Sequence, residues 1–162
     1  LKGIVNYNRS VGFLDRYIPV DASQRDPGSA LDAFVDFSAL VEKFPDSKYA
    51  EDARQRMLYL RNNLAQHEVN VARYYMRRGA YLAAANRANY VIERFQRTSA
   101  VESALEVLVD AYRALGKEQL AADAKRVLDL NRQAGRFVAD EPAPEKGDIA
   151  RKLWDYLSLD KN

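Results

Sequence analysis

Apolar residues recur along this chain at the three- and four-residue steps of a helix, and the pattern is cleanest between Arg78 and Phe95. There Ala84, Ala88, Val91 and Phe95 succeed one another at steps of four, three and four. At about 100° per residue they fall on one stripe, which predicts a helix with one face committed to packing. Gly79 breaks the pattern before it, and Tyr81 opens the new segment. Alanine at 84 and 88 lets a neighbouring helix come close, while Tyr81, Val91 and Phe95 fill the space around it. A Gly-x-Tyr-x-x-Ala opening with spaced apolar positions after it reads as the second helix of a tetratricopeptide-type hairpin.

The rest of the chain repeats and extends this unit. Ile4, Val5 and Val11, with Tyr7, Phe13 and Leu14 nearby, give a weak amphipathic signal at the start, expected as the tail of a helix that begins earlier in a longer protein. Asp15 to Arg25 reads as a connector. Asp26-Pro27 predicts a helix start, with Asp26 as N-cap and Pro27 at the first helical position. Leu31, Phe34, Phe37, Leu40, Val41 and Phe44 keep helical spacing until Pro45, and Asp46 and Ser47 are placed to cap the next helix. Lys48 to Arg78 contains no glycine or proline and predicts a helix about 45 Å long at about 1.5 Å per residue, although its length leaves a break near His67 open. Ser99-Ala-Val-Glu102 has the form of a capping box. Leu105, Leu108, Val109, Tyr112 and Leu115 carry one helix to Gly116; Leu120, Ala121, Ala124, Val127, Leu128 and Leu130 carry the next to Asn131.

Phe44–Ala53 overlays Phe95–Ala104 at an offset of 51 residues, matching Phe, Glu and Ala, and Gly79 overlays Gly116 at an offset of 37. Thr98 to Asn131 spans the roughly 34 residues of one tetratricopeptide repeat. The expected fold is therefore all-α, an α-solenoid of helical hairpins over residues 1–138. Residues 139–147 (ADEPAPEKG) read as an exposed, semi-extended linker. Residues 148–162 read as a short amphipathic tail helix in which Ile149, Leu153 and Leu157 recur beside Trp154. That helix is expected to fold back as a cap on the last repeat, with a docking role for another molecule as the alternative.

Composition narrows the chemistry. In 162 residues, 48% are hydrophobic and 30% charged, which suits a packed domain and not a disordered chain. Cysteine is absent, so disulfides and thiolate metal sites are excluded. The one histidine, His67, has no second imidazole or thiol with which to share a metal. No glycine-rich phosphate loop and no recognisable Ser–His–Asp context occur. Neither an enzyme nor a cofactor is expected. No apolar run approaches the roughly 18 residues that a spanning helix needs.

Charge is more telling by place than in total. From Arg54 to Arg97 there are nine arginines and no lysine against Glu68 and Glu93, a balance of +7, which leaves −5 for the remainder of a chain of net charge +2. Arg87, Tyr90 and Arg94 share a stripe about 60° wide, roughly 90° from the packing stripe, where they are free to meet an acidic partner. Asn86 lies beside them. Arg73, Tyr74, Arg77 and Arg78 add to this mixture of cations and aromatics, and single-stranded nucleic acid is the alternative ligand that such a mixture suits.

Several segments together resemble the BamD (ComL) family, tetratricopeptide lipoproteins of the outer-membrane β-barrel assembly machinery. They are Arg25-Asp26-Pro27, Ala33-Phe34-x-Asp36-Phe37, Phe44-Pro45-Asp46-Ser47-x-Tyr49, Val71-Ala72-x-Tyr74-Tyr75-x-x-Arg78-Gly79-Ala80 and Asn86-Arg87. The resemblance covers residues 1–131, corresponds to the family's C-terminal part, and leaves the tail unmatched. It implies a scaffold at the periplasmic face of the outer membrane, tethered through a lipid on an N-terminal cysteine outside this sequence. It also implies that the C-terminal repeats grip the periplasmic domain of BamA nearest its barrel, with Arg87 in an ion pair to that domain. Other assembly subunits and unfolded outer-membrane proteins are further partners to consider on the same grounds.

Overall fold

The computed structural model describes residues 1–10 and 27–137, and every regular element among them is a helix. These are α1 (Lys2–Ser10), α2 (Gly28–Lys43), α3 (Ala50–Arg77), α4 (Tyr81–Arg94), α5 (Ala100–Ala114) and α6 (Glu118–Gln133). Each helix packs on the next in sequence, and α3 also packs on α5. Connectors as short as the three residues between α3 and α4 force neighbours to lie antiparallel. This is the helical-hairpin array that the periodicity predicts. The Asp15–Arg25 connector, the Asp26 cap, the 139–147 linker and the 148–162 tail helix lie outside the described residues.

Among the described residues the core falls into two clusters. The first gathers Tyr7, Ala30, Ala33, Phe37, Ala53, Leu60 and Leu64 from α1, α2 and the first half of α3. Tyr7 stands edge-on to Phe37 and Tyr59 with ring centroids 6.1 Å apart in both pairs, and burial pushes its phenol above the ordinary value. Gly3 makes the approach of α1 to α2 possible: a Cβ there would stand 3.1 Å from the Asp36 Cβ. The second cluster joins the remainder of α3 to α4, α5 and α6 through Ala65, Val69, Ala72, Ala84, Ala85, Ala88, Val91, Ala104, Leu108 and Ala111, among others. Phe95 packs against both clusters, so one aromatic ring joins the two halves.

Alanines mark the buried faces more faithfully than large residues do. In α2 the buried positions are Ala30, Ala33 and Phe37, while Leu31 and the nearby Phe44 stand out in solvent. In α6 they are Ala121, Ala124 and Leu128, and Leu120, Val127 and Leu130 are exposed. In α1 the core takes Gly3 and Tyr7 and leaves Ile4 and Val5 outside. Tyr7, Phe37, Ala121, Ala124 and Leu128 belong to the stripes read from the sequence, and Phe34, Leu40 and Val41 flank the core as that reading expects, but the other large residues named here do not. Close helix contact demands small side chains at its centre, and the larger ones flank it.

α3 is continuous for 28 residues through His67, a length of about 42 Å. Its end and those of α5 and α6 share one device. Gly79, Gly116 and Gly135 take φ of 71°, 66° and 61°, and the same two backbone bonds recur at each. Gly79 N–H donates to Met76 and Ala80 N–H to Tyr75; the counterparts are Gly116 to Arg113 with Lys117 to Tyr112, and Gly135 to Arg132 with Arg136 to Asn131. This is the Schellman pattern, which satisfies helix-end carbonyls and favours glycine. The 37-residue offset is thus a structural repeat, and α6 runs two residues past Asn131 before its own glycine stop. Phe44 and Phe95, the pair at offset 51, also match: both close their helices outside the helical region, with N–H bonds to Leu40 and Val91 at 2.9 Å.

The N-terminal caps differ from expectation. Ser99 makes no side-chain cap. Its neighbour Thr98 is buried and donates its hydroxyl to the Phe95 carbonyl at 2.7 Å, and Glu102 turns away to an arginine on α6. Ser47 contributes its carbonyl, not its hydroxyl, to the N–H of Ala50. Pro27 stands one position earlier than expected, at the N-cap of α2, with helical angles and a carbonyl that accepts from Leu31.

Packing and backbone conformation contribute separately to stability. Ala88→Leu overpacks a position with no exposed surface and should lower unfolding free energy by roughly 1–3 kcal/mol, whereas Asn86→Leu on the exposed side of α4 should change it by less than about 0.5 kcal/mol; urea denaturation of the two variants checks this. Gly116→Ala meets nothing within 4 Å, so its expected loss of about 1–2 kcal/mol comes from the left-handed backbone alone, and Gly79→Ala should match it in the same measurement.

Candidate protein-docking surface

Four outward residues of α4 form the surface: Asn86, Arg87, Tyr90 and Arg94 are all exposed, while Ala84, Ala85, Ala88 and Val91 are buried between α3 and α5. Spacing of three and four brings Arg87, Tyr90 and Arg94 onto one strip of a helix whose other side is fixed by packing. The Tyr90 ring stands edge-on to Phe95, centroids 5.8 Å apart, so an exposed phenol rests on the residue that joins the two cores. Asn86 borders the strip.

Arg87 is already engaged within the fold. Its Nη1 donates to Oε2 of Glu68 on α3 at 2.9 Å, with the Glu68 side chain 19% exposed and that of Arg87 45%. The expectation that Arg87 stands free of the fold is corrected here: its charge is answered in part from α3. Residue spacing within α4 carries no trace of this, because the acid lies on the preceding helix. Seven residues before Glu68, and so on the same side of α3, Arg61 donates to the Gln96 carbonyl at 2.7 Å. Two polar ties therefore run along one seam between α3 and the α4 strip. The second holds a connector in which Arg97 takes φ of 66° without being glycine. Glu68 and Arg61 are the residues that sequence reasoning missed; their seven-residue spacing is the one local signal that could have linked them.

The remaining arginines and aromatics do not join this strip. Arg73 donates to Ser103 on α5 at 3.1 Å. Five residues separate it from Glu68, which places the two about 140° apart around α3. Arg78 lies over the Tyr74 ring, 5.4 Å from its centroid, and donates to the same residue's hydroxyl at 3.2 Å. The mixture of cations and aromatics that suggested nucleic acid is thus divided between different sides of α3, not laid out as one track. On the far side of the array Arg132 donates to Glu102 at 2.6 Å and also to Glu106, joining α6 to α5; those two hydrogen bonds hold its guanidinium above the ordinary value.

Among the described residues no group of three or more His, Cys, Asp or Glu is placed to hold a metal ion. No helix among them is long and apolar enough to cross a membrane.

Residues 1–128 match the model of the YfiO family, described as an outer membrane lipoprotein. The chain is 46% identical over 145 residues to the outer membrane protein assembly factor BamD of Neisseria meningitidis serogroup A, a match that covers 90% of this chain and 54% of that protein. It is 37% identical over 153 residues to BamD of Xylella fastidiosa strain Temecula1, covering 94% and 52%, and 34% identical over 131 residues to BamD of Vibrio cholerae serotype O1, covering 81% and 54%. The chain spans about half the length of these curated relatives, whose name is that of an assembly factor and not of an enzyme. With its all-helical repeats and this match over most of its length, the chain belongs to the YfiO/BamD family of outer-membrane protein assembly factors.

Proposed function

We propose that this part of the protein is a docking scaffold of the outer-membrane β-barrel assembly machinery, and that the α4 strip grips the periplasmic domain of BamA nearest the barrel. The observation that carries the reading is the placement of Arg87: a half-exposed guanidinium on a helix whose opposite face is buried alanine and valine. A partner meeting this strip finds a planar fork suited to a carboxylate, which can be held by two parallel hydrogen bonds. Tyr90 supplies a broad amphipathic surface at small entropic cost. Arg94 extends the positive potential, and Asn86 offers a donor and an acceptor at the rim. The excess of arginine around α4 favours an acidic counterpart and speeds its encounter.

The scaffold works at the periplasmic face of the outer membrane, touches the membrane only through a lipid on another part of the protein, and needs no cofactor. Single-stranded nucleic acid fits less well, because Arg73, which bonds Ser103, and Arg87, which bonds Glu68, face different sides of α3 and do not line one track.

The test is a titration of the isolated membrane-proximal periplasmic domain of BamA against the parent and against Arg87→Ala and Arg87→Glu. Loss of a largely desolvated pair should weaken binding by about 2–5 kcal/mol, while melting of the free protein changes little, since an exposed ion pair contributes at most about 1 kcal/mol. Reversing the partner's acid to arginine should restore affinity for Arg87→Glu. Unchanged binding by Arg87→Glu at moderate salt would place the interface elsewhere.

A further inference from the structure

We infer that Glu68 is the residue that aims Arg87 at its partner, so that the docking strip includes a carboxylate of α3 beneath the arginine of α4. The inference rests on the proposed docking of the α4 strip and adds to it a positioning residue.

Glu68 cannot readily turn elsewhere. It sits in the middle of the continuous helix α3, between the buried residues Leu64, Ala65, Val69 and Ala72, and its side chain is 19% exposed. A half-buried carboxylate has less water around it than a fully exposed one, so the nearby Arg87 cation is its favoured partner. Arg87 is the more exposed member at 45%, so the pair is anchored at its acid end and open at its basic end.

The contact is also of the kind that leaves Arg87 competent. It joins Nη1 to Oε2, and a guanidinium carries five N–H donors. One end is used and the others remain for a second acid. Arg87 therefore binds a partner's carboxylate without releasing Glu68 and ends between two carboxylates. An arginine left alone would have many rotamers to give up on docking. Held by Glu68, part of that ordering is complete before the partner arrives, which is how preorganisation raises affinity. The neutralisation of Arg87 by Glu68 does not remove the attraction for an acidic surface, since Arg94 on the same strip is exposed and the Arg54–Arg97 segment carries +7 overall.

A double-mutant cycle on the full chain decides the matter, with the isolated membrane-proximal periplasmic domain of BamA as probe and Glu68→Gln, Glu68→Asp, Arg87→Ala and the Glu68→Gln/Arg87→Ala double variant as the proteins titrated. Glu68→Gln keeps the shape and drops the charge; Glu68→Asp keeps the charge and shortens the reach. Both should weaken binding by about 3- to 10-fold, the factor expected for one side chain that must be ordered on docking. In the Arg87→Ala background Glu68→Gln should have no further effect, a coupling that a merely structural role for Glu68 would not produce. Binding by Glu68→Gln as tight as the parent's, or tighter, overturns the inference, the second result making Glu68 a competitor for Arg87. Equal weakening with and without Arg87 also overturns it, since Glu68 would then act on the fold. If Arg87→Ala itself leaves affinity unchanged, the docking reading fails first and the inference with it.

Discussion

The insertion of α4 between α3 and α5 rests on residues with almost no side chain. Ala84, Ala85 and Ala88 of α4 meet Ala65 and Ala72 of α3 and Ala104 and Ala111 of α5, each at most 1% exposed. Alanine at the centre of a helix contact brings the backbones together and gives up no rotamer freedom on burial. It also leaves no slack, because a larger residue has nowhere to go in an interior packed to crystal-like density. The orientation of α4 about its own axis is therefore set on its inner side, and the outward strip inherits that orientation.

Polar ties between helices complete the positioning. Arg61 to Gln96 and Arg87 to Glu68 lie along one side of α3, Arg73 to Ser103 on another, and Arg132 to Glu102 between α5 and α6. Exposed ties of this sort, the Arg87 and Arg132 ion pairs and the Arg61 and Arg73 hydrogen bonds to neutral oxygens, contribute little to stability, about 1 kcal/mol or less each. Their effect is on direction: each fixes a long arginine that would otherwise sample many rotamers. Phe95 then couples the alanine-rich α3–α6 half to the more aromatic α1–α2 half, and Tyr90 rests against that joint.

Legibility in the sequence depends on the range of each interaction. The α4 packing face is readable because Ala84, Ala88 and Val91 announce it within one helix. Gly79 and Gly116 are readable because a left-handed helix stop is local chemistry, and the resemblance to the BamD family is carried by short segments of the same kind. The faces of α2 and α6 are less legible, since Leu31, Val127 and Leu130 look like core until the close approach of neighbouring helices selects the alanines instead. Ser99 through Glu102 has the spelling of a capping box, but Glu102 finds a stronger partner in Arg132, 30 residues away. The Arg87–Glu68 pair is hidden for the same reason, being 19 residues apart and visible only once α3 and α4 are laid side by side.

Backbone hydrogen exchange, monitored with and without the membrane-proximal periplasmic domain of BamA, tests most directly whether α4 is the docking element. The account predicts that exchange slows in the segment from Tyr81 to Phe95 and along the adjoining part of α3 around Glu68, while α6 exchanges as in the free protein. Slowing confined to α6 or to α1 and α2, with residues 81–95 unchanged in the complex, would contradict it.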